Sequence, residues 1–162
     1  MMNSVKKFIT TGSPLRNEVV GQEFRAKHTF EERQQEAWRI SQKFPGRVPV
    51  IVERGSGSKT VPIIDKQKFL VPGDLTLGQF VFVIRKRMEL PSESALFCFV
   101  GGSLPTTGSL MRELFGRFRD EDGFLYVSYC GENTFGVIGV LALWAHRPAS
   151  PIPPVFEVTY RM

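Results

Sequence analysis

Few residues in this sequence are of a type that does covalent chemistry. There are two cysteines, Cys98 and Cys130, and two histidines, His28 and His146. A cysteine attacks only as its thiolate, which needs a depressed pKa and a positioned base. Cys98 lies mid-strand between Phe97 and Phe99, and nothing near it in sequence supplies a charge. It therefore reads as a small, half-buried residue. Two cysteines make neither a disulfide framework nor a metal set. Asp120, Glu121 and Asp122 form an acidic turn before a strand, expected to be a solvated loop. Gly101-Gly102 lacks the lysine and the helix of a phosphate-binding loop. The chain is thus expected to be no enzyme, with no metal and no cofactor.

Charge offers a different kind of chemistry. Lysine and arginine number 21 against 16 acids, giving a net charge of +5 and a pI near 9.5. Such a balance suits acidic partners: nucleic acid, anionic lipid, tubulin tails or acidic peptides. The basic run Arg85-Lys86-Arg87 reads first as a solvated helix end and second as a dock for an acidic partner. Nucleic acid ranks last, because no recognition module is present and Phe80, Phe82, Phe97 and Phe99 fall where a core would claim them. The longest apolar run, residues 137–145, has nine residues, well short of a membrane span. The first twenty residues hold no apolar stretch long enough for a signal peptide, so a cytoplasmic location is expected.

The elements that must carry these residues fit one domain in 162 residues. Hydrophobic residues at 42% allow a sizeable core, and 14 phenylalanines point to one built largely on that ring. Residues 1–22 show no periodicity and read as a mobile extension. A short helix is expected over 23–26. Thr29-Phe30-Glu31-Glu32 is a capping box, opening a helix that should end near Phe44, before Pro45-Gly46. Phe30, Ala37 and Trp38 are expected to face inward, with Arg33 among the solvated positions. Residues 47–53 and 59–65 read as a hairpin, with Pro49 and Pro62 favouring an edge. Thr76 opens a second helix carrying Leu77, Phe80, Val81, Ile84 and Met88 on one face. A strand over 95–100, a helix over 107–118 and a strand over 124–129 follow. A hairpin crossed by a helix is an α+β, ubiquitin-like β-grasp pattern. After Gly136 the composition turns proline-rich, and 137–162 reads as an appendage outside the domain.

Four blocks carry a resemblance to a known family. They are FPGRVPVIVER at 44–54, DKQKFLVPGDLTLGQFVFVIRKRMEL at 65–90, ALFCFVGGSLP at 95–105 and DEDGFLYVSYCGENTFG at 120–136. In family order and with near-family spacing, they resemble the autophagy ubiquitin-like modifiers. That family includes the GABA-receptor-associated proteins and the microtubule-associated light chain three proteins. The resemblance spans about 107 residues, 30–136. It implies a ubiquitin-like β-grasp with two additional N-terminal helices, within a domain of residues 23–136. This chain departs from the family pattern in five ways. Its N-terminus is longer, and its GSGSKT loop is about one residue longer. Phe69 stands where tyrosine is common, and Cys130 where serine is. Its tail runs 26 residues past Gly136.

The resemblance implies a function. A cysteine protease would cut after Gly136, removing 137–162 as a pro-segment. Activating and conjugating enzymes would then pass Gly136 to phosphatidylethanolamine. The protein would move from the cytoplasm to autophagosome or vacuole membranes, where it docks cargo receptors. Their aromatic-x-x-aliphatic motifs would add to a strand edge. The implied aromatic pocket is Glu36, Ile40, Pro49, Ile51, Lys68, Leu70 and Phe124. The implied aliphatic pocket is Phe69, Val71, Pro72, Leu75, Phe80 and Val83. Arg47, Lys66 and Arg87 would meet acidic flanks, and Phe97 and Phe99 would face the processing protease. Microtubules are a further implied partner. The alternative reading is a basic, cytoskeleton-binding adaptor that is never conjugated.

Overall fold

The computed structural model describes residues 22–56, 58–132 and, for the backbone, 156–157. The readings made above for residues 1–21, for Gly136 and for most of 137–162 lie outside these described residues.

Two helices come first, α1 (Gln22–Lys27) and α2 (Phe30–Lys43). The capping box of α2 forms as its sequence requires. Thr29 Oγ1 accepts from the Glu32 amide, and the Glu32 carboxylate accepts from the Thr29 amide. The chain then enters β1 (Arg47–Arg54), crosses an irregular stretch and returns as β2 (Lys68–Pro72). Next come α3 (Leu77–Arg87), β3 (Leu96–Val100), α4 (Met111–Phe118) and β4 (Leu125–Gly131). A two-residue strand from the tail, β5 (Phe156–Glu157), completes a sheet of order β3-β4-β1-β2-β5. The central pair β1–β4 is parallel and the other three pairs are antiparallel.

Several expectations are corrected here. The strand returning from β1 is residues 68–72 and not 59–65. Val61 and Ile64 are buried all the same, because side chains anchor their backbone in place of a ladder. Tyr129 Oη accepts from the Ile64 amide and donates to the Pro62 carbonyl, at 2.8 and 2.9 Å. Pro49 lies in β1, which is a central strand. Val52 N–H donates toward β2, to the Gln67 carbonyl, so alternation turns the nitrogen at position 49 toward β4. Pairing with β4 begins only at Val50, so no ladder bond is lost at Pro49. The helix expected over 107–118 begins at Met111. The carbonyls of Thr107 and Ser109 are engaged instead by the first amides of α3, those of Gly78 and Leu77.

The sheet has an apolar cluster on each face. The larger joins Val50, Val52, Val71, Leu125 and Val127 to Leu77, Phe80 and Ile84 of α3 and to Met111 and Leu114 of α4. The smaller joins Ile51, Leu70 and Tyr126, with Phe124 just before β4, to Phe24 of α1 and Ala37 and Ile40 of α2. Eight valines are buried among the described residues against five phenylalanines, so β-branched strand residues outnumber phenylalanine in this core.

Candidate functional site: the β2 edge and the two faces beside it

Side chains alternate along β2. Lys68 and Leu70 point to the α1–α2 face, while Phe69 and Val71 point to the α3 face. The residues implied for the aromatic pocket gather on the first face. Leu70, Ile51, Ile40 and Phe124 pack in the smaller cluster. Pro49 is buried opposite Leu70 in register, two residues from Ile51 and on its side of β1. Lys68 Nζ donates to Glu36 Oε1 at 2.8 Å, tying α2 to the strand.

Residues implied for the aliphatic pocket lie on the other face. Phe69, Val71, Leu75 and Phe80 share the larger cluster, with the Phe69 and Phe80 rings edge to face at 5.5 Å. All four are buried. Pro72 and Val83 are only half-buried, Pro72 ending β2 and Val83 one turn beyond Phe80 on α3. One strand therefore separates the two residue sets, and its outer edge is where they meet.

The basic residues flank this strand. Arg47 opens β1 opposite Pro72, and Lys66 is exposed just ahead of β2. Arg87, at the end of α3, grips Asp65 with Nε and Nη2, each 2.8 Å from a carboxylate oxygen. That bidentate pair holds the Asp65 carboxyl down at about 2. The Asp65 carboxylate thus already occupies the Arg87 fork that was expected to meet a partner's acid.

Phe97 and Phe99 lie on β3, at the far edge of the sheet, in register with Cys130 and Ser128. Phe97 is half-buried and Phe99 buried. Between them Cys98 turns the other way, into the larger cluster. Burial, reinforced by nearby Cys130, pushes the Cys98 thiol up to about 12, so it stays protonated at neutral pH. At the end of β4, the Gly131 amide donates to Ser58 Oγ at 3.0 Å. A Cβ on Gly131 would come within 2.4 Å of Thr60 Oγ1, so the strand's last residue is held close against the irregular stretch between β1 and β2. Gly136 follows five positions later in sequence.

Sequence reasoning missed the polar cluster that fixes the α1–α2 face. Asp122, expected to be solvated, is fully buried. It accepts from Arg33 Nε at 2.7 Å, from Tyr126 Oη at 2.6 Å and from the Phe124 amide at 3.0 Å. Arg33, also expected in solvent, is buried and donates a second bond to the His28 carbonyl. Burial, and then the bond to Asp122, raises the Tyr126 phenol above its ordinary value. Arg25 stacks over the Tyr126 ring at 4.3 Å and pairs with Asp120. Phe30 and Trp38, expected inside, are exposed at 39% and 67%. The inward stripe of α2 is Arg33, Ala37 and Ile40, at helical spacing, and a polar residue leads it. The signal available in sequence was that stripe, with Asp122 waiting 89 residues away.

The sheet, its crossing helix and the two leading helices define the ubiquitin-like class of α+β domains. A crystal structure of Trypanosoma brucei ATG8 superposes with a TM-score of 0.66 at 44% identity, over 70% of this chain and 97% of that one. Residues 32–136 match the family described as "Autophagy protein Atg8 ubiquitin like". Autophagy-related protein 8 of Kluyveromyces marxianus is 57% identical over 118 residues, 73% of this chain and 94% of that protein. Autophagy-related protein 8e of Arabidopsis thaliana is 54% identical over 120 residues, 74% of this chain and 98% of its own length. The chain belongs to the Atg8 family of ubiquitin-like autophagy proteins.

Proposed function

We propose that this chain is a modifier rather than a catalyst, conjugated through Gly136 to phosphatidylethanolamine and used on autophagosome or vacuole membranes to dock cargo receptors. The observation that carries the reading is the β2 edge. A strand whose alternate side chains reach two separate apolar clusters, with basic residues at both ends, suits an incoming extended peptide. An aromatic side chain would enter the α1–α2 face through Glu36, Ile40, Pro49, Ile51, Lys68, Leu70 and Phe124. An aliphatic one would enter the α3 face through Phe69, Val71, Pro72, Leu75, Phe80 and Val83. Acids flanking the motif would meet Arg47, Lys66 and Arg87, exchanging with Asp65 at the last. Basic rims of this kind speed encounter more than they deepen affinity.

Conjugation needs an exposed C-terminal carboxylate, so 137–162 must be removed first, by a cysteine protease that reads the Phe97–Phe99 side of β3. A glycine at the scissile position lets the backbone enter a narrow cleft and bring its carbonyl to an enzyme thiolate. Attachment to a phospholipid supplies two acyl chains, each buried methylene contributing about 0.8 kcal/mol, which is enough for stable anchoring.

The test is intact mass. Incubation with a protease of the matching family is expected to leave a product ending at Gly136. Activating and conjugating enzymes with phosphatidylethanolamine vesicles then add the mass of one lipid, and Gly136→Ala blocks both steps. A product ending elsewhere, or an uncut chain that acquires lipid, overturns the reading. Docking is tested by titrating an acidic aromatic-x-x-aliphatic peptide while following backbone amides by NMR. Shifts confined to elements other than β2 overturn the assigned groove.

A further inference from the structure

The β2 edge has a strand on it already. β5 pairs antiparallel with β2, Phe156 opposite Leu70 and Glu157 opposite Phe69. The alternation established by the Val52-to-Gln67 bond turns the Phe69 and Val71 amides toward β1. The amides of Lys68 and Leu70 therefore face outward, and position 72, a proline, has none. Phe156 stands in register with Leu70, so the tail takes up the central outward-facing backbone groups of this edge.

We infer that the tail strand Phe156–Glu157 acts as a built-in occupant of the peptide-docking edge, so that the uncut chain is masked against partners and removal of 137–162 unmasks it. This rests on the docking role proposed for β2. Three observations support it. The occupant shares the chemistry of the proposed partner: it joins an aromatic strand former, Phe156, to Glu157, the one acid of the tail, along a strand that begins at Lys68 and follows Lys66. The tail can reach: the 23 residues 133–155 span up to about 80 Å when extended, against a radius of gyration of about 13 Å for a domain of this size. The contact is also intramolecular. A two-residue ladder is too slight to hold a separate peptide, but a tethered strand acts at an effective concentration in the millimolar range. Cutting after Gly136 ends that advantage. A single cleavage would then both create the conjugating carboxylate and open the docking edge.

The test compares two full-length chains, the wild type and Phe156→Pro/Glu157→Pro. The prolines remove both strand N–H groups of the tail and leave the domain untouched. Amide exchange is read at Lys68 and Leu70, and an acidic aromatic-x-x-aliphatic peptide is titrated into each chain. The expected result is slow Leu70 exchange in the wild type, faster exchange in the variant, and peptide affinity about fivefold or more higher in the variant. The apparent affinity falls with the fraction of chains left open. Equal Leu70 exchange in the two chains overturns the inference, whatever the peptide does. Faster exchange with equal peptide affinity in both chains overturns the masking and leaves the docking site standing. Faster exchange with no peptide bound by either chain overturns the masking and the docking reading together.

Discussion

The two faces of the sheet are held by different physics. On one side, α3 and α4 cover a continuous apolar cluster of valine, leucine, isoleucine and aromatic side chains. On the other, α1 and α2 rest on a much smaller apolar set, and a buried ion pair joins them to the sheet. Apolar packing is tolerant of approach angle, whereas Arg33, Asp122 and Tyr126 fit one another in only one arrangement. The first face buries the larger apolar cluster, and the second fixes where two helices sit beside β2. The amide of Phe24, bound to the Glu53 carboxylate at 2.7 Å, ties α1 to β1 in the same polar manner.

The contrast can be broken at its strongest point first. Phe80 is fully buried and meets the Phe69 ring edge to face. Phe80→Ala is expected to cost about 3–5 kcal/mol, the range for a large core aromatic, read as a lower urea midpoint with amide protection falling across the whole sheet. Asp122→Ala is next. It leaves Arg33 buried beside an absent partner, at a cost of about 3 kcal/mol, the low end for breaking a buried pair, because the His28 carbonyl still accepts from the guanidinium. The loss should be local: exchange should quicken in α1 and α2 well before β1 and β4. If both substitutions speed exchange uniformly through the domain, the two faces form one cooperative unit and the contrast fails.

The smallest effect sharpens the contrast at the surface. Asp65 is exposed, and its carboxyl sits near 2 because Arg87 grips it. A folded-state pKa below the unfolded one adds stability that is present above about pH 4 and is lost as pH falls through 2. Arg87→Ala should raise the Asp65 carboxyl toward the ordinary range of about 3.9, seen by NMR titration, and lower the midpoint at neutral pH by less than either core substitution does, because solvent screens an exposed pair. A midpoint shift at neutral pH as large as that of Asp122→Ala would show that this exposed pair carries structural weight.

Much of the architecture was legible because its signals are local. Both long helices begin at capping boxes formed from adjacent residues. β1, β3 and β4 read as β-branched or aromatic runs. What could not be read depends on distant partners. Residues 59–65 have strand composition, yet no strand among the described residues pairs with them; Tyr129 holds them from across the core. Arg33 and Asp122 looked solvated because each is charged, and only their meeting across 89 positions makes burial tolerable. The exposure of Trp38 has the same root, since the inward stripe it was expected to share belongs to Arg33, Ala37 and Ile40. Of the residues proposed for docking, the alternation along β2 followed from sequence. The cover that β5 lays on that edge did not, since two residues in a proline-rich tail carry no periodicity.

The parallel pairing of β1 with β4 has a mechanical meaning. β4 is the strand from which the C-terminal segment departs, and it lies between β3 and β1 rather than at a margin. A pull on that end runs along β4 and loads the β1 and β3 ladders lengthwise, so their hydrogen bonds resist together instead of opening one at a time. Under the proposed attachment through the C-terminal segment, load would enter the sheet through a strand that is bonded on both sides.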